Sequence, residues 1–293
     1  MNKLGIFMNF WEKNWAADHK KYIIKASKLG FDVLEFQAQP LLGMTDNYLR
    51  ELKKIADDNN IEMTYSLGLD KKYDISSVDS DVRKKGIEYL TNIMKKVKVM
   101  DGKIISGVSY AGWGVPAIED IDKERLTMNS VDSMKKLAKI AEDLDIVYGV
   151  EAVNRFEGVV LNTAKEAVEY VNAVDSKNVG VLLDTYHMNI EEFSIGGAIR
   201  TANDKLVGLH VGENNRSVPG RGHLDWNEIF EALKDVKFKG RIVAEPFVVR
   251  GGEVGRDIYV WRDLVDCTDE ESLDKEALFM LEFEREMIKK WGL

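Results

Sequence analysis

The sequence predicts a single domain spanning residues 1–293, of the α/β class: one (β/α)8 TIM barrel with an extra C-terminal helix. Three observations predict it. Eight short apolar runs recur along the chain, separated by stretches of helical periodicity, which is the alternation that βα units require. The last four runs each end in an acidic or imidazole side chain, and the C-terminal ends of barrel strands are where this architecture carries its chemistry. Finally, 293 residues at 45% hydrophobic content suffice for one large core.

The strand-like runs fall at roughly 3–9, 33–37, 62–68, 103–108, 146–153, 179–187, 206–213 and 241–247. Each is short and near-continuously apolar, as expected of a parallel strand covered on both faces. After the third run, Ile87, Leu90, Ile93, Met94 and Val97 recur at helical spacing; after the fourth, Met134, Leu137, Ile140, Ala141 and Leu144 do so. These stripes predict helices packed on the barrel wall. Thr163 followed by Glu166 has the form of a capping box, so a helix should begin just after the loop that follows the fifth strand. The segment VVRGGEVGRDIYVWRDL and a final helix near 273–291 exceed what a minimal barrel needs. Only four prolines and no Ser/Gly-rich stretch leave no linker to divide the chain. No repeat beyond the βα alternation occurs, and no low-complexity segment.

Composition excludes several function classes. A net charge of -9 without any long Lys/Arg run argues against nucleic acid or an anionic membrane as partner. Basic residues alternate with acids, as in KKLAKIAED, and read as solvated helix faces. The opening MNKLGIFMNFWEKNW has no apolar run long enough for a signal peptide or a membrane span. Cys267 is the only cysteine, which allows no internal disulfide and suits a reducing cytoplasm. Its flanks, VDCTDEE, supply no group to lower its pKa, so it is expected to be structural.

The chemistry concentrates at four strand ends: Glu151 in YGVEAV, Asp184 in VLLDTY, His210 in GLHVGE and Glu245 in VAEPF. A charge at the end of a buried strand is costly unless it pairs or binds a cation. Asp184 or Glu245 alone could be the partner of an arginine. Four in register, one per strand, form a ligand set for a divalent metal. Three carboxylates with one imidazole favour Mn²⁺ first, with Co²⁺ or Mg²⁺ as alternatives, over a thiolate-bound zinc. An octahedral ion with four protein ligands keeps two positions for water or for a sugar with a carbonyl beside a hydroxyl. The ion would acidify the neighbouring C–H, a carboxylate would remove the proton, and a metal-stabilised enediolate would result.

Longer motifs carry a resemblance. WEKNWAADHKKYI, KLGFDVLEF, EAVNRFEGVVLNTA, VLLDTYHMNIEE, GAIRTA, GLHVGENNRSVPGRGHLDWNEI, AEPFVVRGGEVGRDI and VWRDL together cover nearly the whole chain. They resemble the D-tagatose 3-epimerase and D-psicose (allulose) 3-epimerase family. The resemblance implies a metal-dependent barrel that interconverts ketoses at C3 and assembles as a homodimer or homotetramer. It implies Glu151, Asp184, His210 and Glu245 as metal ligands, with Glu157, His187 and Arg216 as substrate contacts. Trp113 and Phe247 resemble the family's apolar wall against the sugar, although Phe247 reads equally well as core packing. On sequence alone Arg216 could be a loop arginine, and His187 a core histidine or spare ligand.

Epimerisation takes a proton from one face of a planar enediolate and returns one to the other, so it needs two bases, and Glu151 with Glu245 can supply them. The first half of the chain departs from the family. Where members commonly carry two tyrosines, this chain has Phe7 and Met8, and it reads Gly68, Leu69 and Ser106, Gly107, Val108, Ser109 in place of a Gly-Pro and a Gly-Gly-Ala-Leu run. Phe7, Met8, Ser109 and Trp113 are therefore expected around the C4 to C6 end of the substrate, with fewer hydroxyls to read it. His19 and His223 are expected on the surface. PGRG at 219–222 does not open a helix and is not expected to cradle phosphate.

Three alternatives remain open at this stage. A lyase or deglycosidase acting on a 3-oxo-glycoside would use the same enolisation but end in β-elimination, and a missing polar contact at the sugar tail together with a more apolar entrance would favour it. Aldose–ketose isomerisation of the xylose-isomerase kind is disfavoured by a one-metal ligand set. A non-catalytic sugar-binding barrel would need no paired bases around an ion.

Overall fold

The computed structural model describes residues 2–115 and 120–293. The eight apolar runs form β1 (Leu4–Phe7), β2 (Val33–Gln37), β3 (Glu62–Gly68), β4 (Ile104–Val108), β5 (Val147–Glu151), β6 (Val179–Asp184), β7 (Leu206–Val211) and β8 (Arg241–Ala244). All pair in parallel and in sequence order, and β1 pairs with β8 through Leu4↔Ile242, Gly5↔Val243 and Ile6↔Ala244, which closes the barrel. Closure removes the free strand edge.

Helices form the outer layer: α1 (His19–Leu29), α2 (Asp46–Asp58), α3 (Ser80–Val99), α4 (Lys123–Leu144), α5 (Ala164–Val174), α6 (Thr185–Glu191), α7 (Ile195–Ala202), α8 (Trp226–Asp235), α9 (Gly252–Asp257) and α10 (Glu270–Trp291). Their starts are set by side-chain caps: Asp18, Thr45, Asp79, Asp122 and Asp269 each accept from a backbone N–H of the first turn. The capping box at Thr163 and Glu166 opens α5 as expected. Buried Leu90, Ile93, Met94 and Val97 of α3 and Met134, Leu137 and Ala141 of α4 face the barrel wall. The final helix begins at Glu270 rather than near 273, and packs against α8 and α1, closing the ring of helices.

The late strands stop earlier than their apolar runs suggest. The run at 179–187 ends as a strand at Asp184, whose carboxylate accepts from the Tyr186 N–H at 2.6 Å and caps α6. Apolar content alone does not distinguish a strand from the buried helix that continues it. His187 therefore projects from a helix, not from a strand. His19 is also corrected. It is 1% exposed, its ring centroid 4.9 Å from that of Phe36, and burial holds its pKa below the ordinary range. His223 is exposed as expected, whereas Cys267 is exposed and not a structural core residue. No helix among the described residues is long and apolar enough to cross a membrane.

Candidate active site

Parallel pairing places the ends of β5 to β8 side by side at one mouth of the barrel, and with them the four polar strand-end residues. Glu151 and Asp184 are the last residues of β5 and β6, His210 lies one residue before the end of β7, and Glu245 follows β8 directly, its N–H bonded to Val211 O at 2.9 Å. One ligand atom from each lies within 4.8 Å of all the others. All four side chains are buried.

The donor set fits a hard divalent cation. Two buried atoms in it, Glu151 Oε1 and His210 Nδ1, have no hydrogen-bond partner. His210 Nδ1 instead faces Glu151 Oε1 at 3.7 Å and Glu245 Oε1 at 3.6 Å. Burial pushes the Glu151 carboxyl up to about 7, with Glu245 and Asp184 adding to the effect and His210 opposing it. Burial likewise raises Asp184. For His210 burial works downward, but Glu35, Glu245 and Glu151 outweigh it and raise the imidazole well above its usual value. Such a concentration of carboxylate, partly neutralised by protons, is relieved by a cation.

Beside the cluster lies a second polar group. Arg216 Nη1 is 3.3 Å from Glu157 Oε1, Arg216 Nη2 is 3.2 Å from His187 Nε2, and His187 Nε2 is 3.9 Å from Glu151 Oε1. Burial alone would raise the Glu157 carboxyl, yet the Arg216 guanidinium beside it, helped by the Asn154 amide, holds it below the usual carboxylate range. Burial lowers His187, keeping it neutral. Arg216 adopts φ +63, unusual for a side chain of this size, and its guanidinium stacks over Tyr186 at 4.6 Å and Phe247 at 5.1 Å. The loop that carries it is pinned by buried Glu213, which accepts from Gly220 N–H at 2.9 Å, Leu224 N–H at 3.3 Å and Trp226 Nε1 at 2.8 Å. Within PGRG, the Gly220 amide is taken up by this contact with Glu213.

These groups border an inner cavity of about 50 Å³, whose apolar side is Phe7, Phe247, Trp113 and Ile258. Phe7 and Phe247 meet edge to face at 5.8 Å. Gly68 is required here, because a Cβ on it would come within 2.9 Å of the Trp113 ring. The cavity adjoins an outer chamber of about 770 Å³ that shares Trp15, Gln37, Gly68, Trp113 and Glu157 as walls and carries Asp70, Lys71, Glu253, Arg256 and Asp257.

Two expected contacts lie elsewhere. Met8 is fully buried in the main core, in a 3-10 turn that follows β1, and does not line the cavity. Strand alternation explains it: consecutive residues leave a strand end in opposite directions. Ser109 is likewise fully buried, and Val108 takes the cavity wall in its place. Conversely, Asn154, Glu35, Gln37, Ser66, Trp15 and Ile258 escape a sequence reading. Asn154 donates to Glu157 Oε1 at 3.1 Å, and Glu35 approaches His210 Nε2 at 2.8 Å. The one available signal was Glu35 itself, a charge in the middle of an apolar strand.

Comparison with known proteins agrees with this geometry. Residues 23–277 match the model of the xylose isomerase-like TIM barrel family. The chain is 46% identical over 287 residues to a D-psicose 3-epimerase of Ruminiclostridium cellulolyticum, covering 98% of each, and 32% identical to an L-ribulose 3-epimerase of a Methylomonas species, covering 89% of this chain and 90% of the relative. A crystal structure of D-psicose 3-epimerase with D-tagatose, from Clostridium cellulolyticum H10, superposes with a TM-score of 0.96 at 46% identity over 98% of this chain and 99% of that one. With its closed barrel, its clustered carboxylates and these relatives, the chain belongs to the D-psicose 3-epimerase family of xylose isomerase-like TIM barrels, a family of isomerases.

Proposed function

We propose that this protein is a metal-dependent ketose 3-epimerase, with Glu151, Asp184, His210 and Glu245 holding the ion and Glu151 and Glu245 also serving as the two acid/bases. The observation that carries the reading is the convergence of two carboxylates from different strands on one point: Glu151 and Glu245 lie 3.7 Å and 3.6 Å from the same nitrogen, His210 Nδ1. A divalent ion held by these residues, Mn²⁺ first and Co²⁺ or Mg²⁺ otherwise, supplies Lewis acidity to the substrate carbonyl. One glutamate removes the C3 proton and the other returns one to the opposite face, inverting C3. Glu157, His187 and Arg216 hold the oxygens of C1 to C3, fixing C3 between the two carboxylates. The aromatic wall of Trp113, Phe247 and Phe7 covers the rest of the sugar.

The relatives named above act on D-psicose and L-ribulose, and we assign a free keto sugar as substrate here too. The outer chamber sets charged Asp70, Lys71, Glu253, Arg256 and Asp257 beside aromatic Trp15, Trp113, Phe156 and Tyr259, so product analysis rather than its lining separates epimerisation from elimination on a 3-oxo-glycoside. We further assign one domain over residues 1–293, a cytoplasmic location compatible with one free cysteine, and a homodimer or homotetramer, for which exposed Phe156 and Phe193 offer apolar surface.

The test is incubation of Mn²⁺-loaded protein with a ketohexose in D₂O. Deuterium should enter at C3 as the C3 epimer forms. Exchange at C1 without exchange at C3 would replace epimerisation by aldose–ketose isomerisation, and release of an aglycone from a keto-glycoside with no turnover of free ketoses would replace it by elimination.

A further inference from the structure

Strand β2 is buried along its whole length, and Glu35 sits in its middle at 2% exposure. A carboxylate so placed is expensive unless every oxygen is used. One oxygen is held from the barrel wall: Thr64, the register partner of Glu35 on β3, donates to Oε2 at 2.8 Å, and Ser106 Oγ on β4 lies 3.4 Å from the same atom. The other, Oε1, reaches across the barrel to His210 Nε2 at 2.8 Å, a close ion-pair contact lying off the line of an ideal hydrogen bond.

From this geometry we infer that Glu35 is a positioning residue for His210, holding its Nε2 so that Nδ1 is presented to the metal. The two ring nitrogens are already divided in this way, Nε2 toward Glu35 and Nδ1 toward Glu151 and Glu245. Pairing of β7 with β6 and β8 fixes the backbone of His210 opposite Asp184 and Val243, but not its ring rotation. Packing does not fix it either on this side, because Glu35, Thr64, Ser106 and His210 line a void of about 20 Å³. The void leaves the ring unpacked there, while Glu35 Oε1 stands 2.8 Å from Nε2, so the polar contact rather than steric wedging orients it. Carboxylates that hold the second nitrogen of a metal-bound histidine set its tautomer and raise its basicity.

The inference rests on reading His210 as a metal ligand, and the test separates the two. Metal-free protein is titrated with Mn²⁺ by calorimetry at one pH, comparing wild type with Glu35→Gln, Glu35→Ala and His210→Ala, while metal-free melting temperatures report folding. Glu35→Gln keeps an acceptor oxygen without the charge and should weaken Mn²⁺ binding about tenfold; Glu35→Ala should weaken it about 10²-fold. Should the alanine variant fail to fold, the glutamine variant decides. Mn²⁺ binding by Glu35→Gln within twofold of wild type overturns the positioning role. Equal Mn²⁺ affinity in His210→Ala and wild type would instead overturn the ligand assignment on which it rests.

Discussion

Asn154 donates its backbone N–H to His187 Nδ1 at 3.1 Å, and its side-chain amide lies 2.9 Å from the same nitrogen. Nδ1 is thereby the acceptor, and a neutral ring must carry its proton on Nε2. That N–H stands 3.2 Å from Arg216 Nη2, so two donors are brought together at the cavity wall, each 3.9 Å from a carboxylate of the cluster, Glu151 and Glu245 respectively. Paired donors aimed at one point are how a site receives an oxygen on which negative charge develops.

His187→Ala is accordingly expected to lower kcat/KM by about 10²-fold, because the loss of one positioning contact misplaces the reacting carbon. Mn²⁺ affinity measured by calorimetry should stay within about twofold, since His187 stands outside the four-residue cluster. A collapse of metal binding together with activity would assign His187 to the metal instead.

Glu151→Gln and Glu245→Gln should each retain the fold while losing about 10² to 10⁴ of turnover, the usual contribution of a positioned acid or base. Single-turnover assays in D₂O distinguish their roles: both variants should lose epimer formation, but each should retain C3 exchange with only one of the two C3 epimers, the opposite one in each variant. Turnover near wild type in either variant would remove that glutamate from proton transfer.

Metal binding should release protons. With burial holding Glu151 up to about 7 and its carboxylate neighbours raising His210, the metal-free cluster carries protons near neutral pH that an ion must displace. Mn²⁺ affinity is therefore expected to rise with pH through the window around 7 and to weaken below it. Calorimetry in buffers of different ionisation enthalpy measures the released protons directly. An apparent enthalpy identical in all buffers would show none.

Glu284, on the inner face of α10, is fully buried and neither carboxyl oxygen has a hydrogen-bond partner. Burial holds its pKa well above the ordinary value, so the folded protein keeps a proton that the unfolded chain gives up above about pH 4.3. Stability is thus greatest below that pH and declines as pH rises toward the folded pKa. Glu284→Met, similar in volume and without a polar group to satisfy, should stabilise by about 1 to 3 kcal/mol at pH 7 and by less at pH 4. Melting temperatures at both pH values check it; a destabilised variant at pH 7 would point to a partner for this carboxyl.

Specificity at the sugar tail should be relaxed. Phe7 contributes an apolar wall, and an apolar site discriminates hydroxyl epimers weakly. Several ketoses differing at C4 or C5 should be turned over with modest differences in kcat/KM, and Phe7→Tyr should sharpen the preference. Met8→Tyr should instead cost about 1 to 3 kcal/mol through overpacking, because Met8 fills the core. Turnover of one ketose alone would identify Gln37 and Ser66, which also line the inner cavity, as the readers of the tail.

The order and kind of the elements are legible in the chain because apolar periodicity and side-chain caps are local properties: Thr163 and Glu166 announce α5 from four residues of chain. The four polar strand ends are legible in the same way, since Glu151, Asp184, His210 and Glu245 each break an apolar run that has no local reason to be broken. The family motifs added Glu157, His187 and Arg216. Only closure of the barrel decided which side chains share a space. Glu35 and His210 are 175 residues apart in the chain yet meet at 2.8 Å, because both project inward from strands on opposite sides of a closed sheet. Met8 and Ser109 fell outside the cavity for the converse reason: at a strand end a step of one residue exchanges one direction for the other, and a linear motif does not record which way the side chain turns. The void beneath His210 and the unpartnered carboxyl of Glu284 are likewise products of packing between distant segments, fixed by three-dimensional contact rather than by any local pattern.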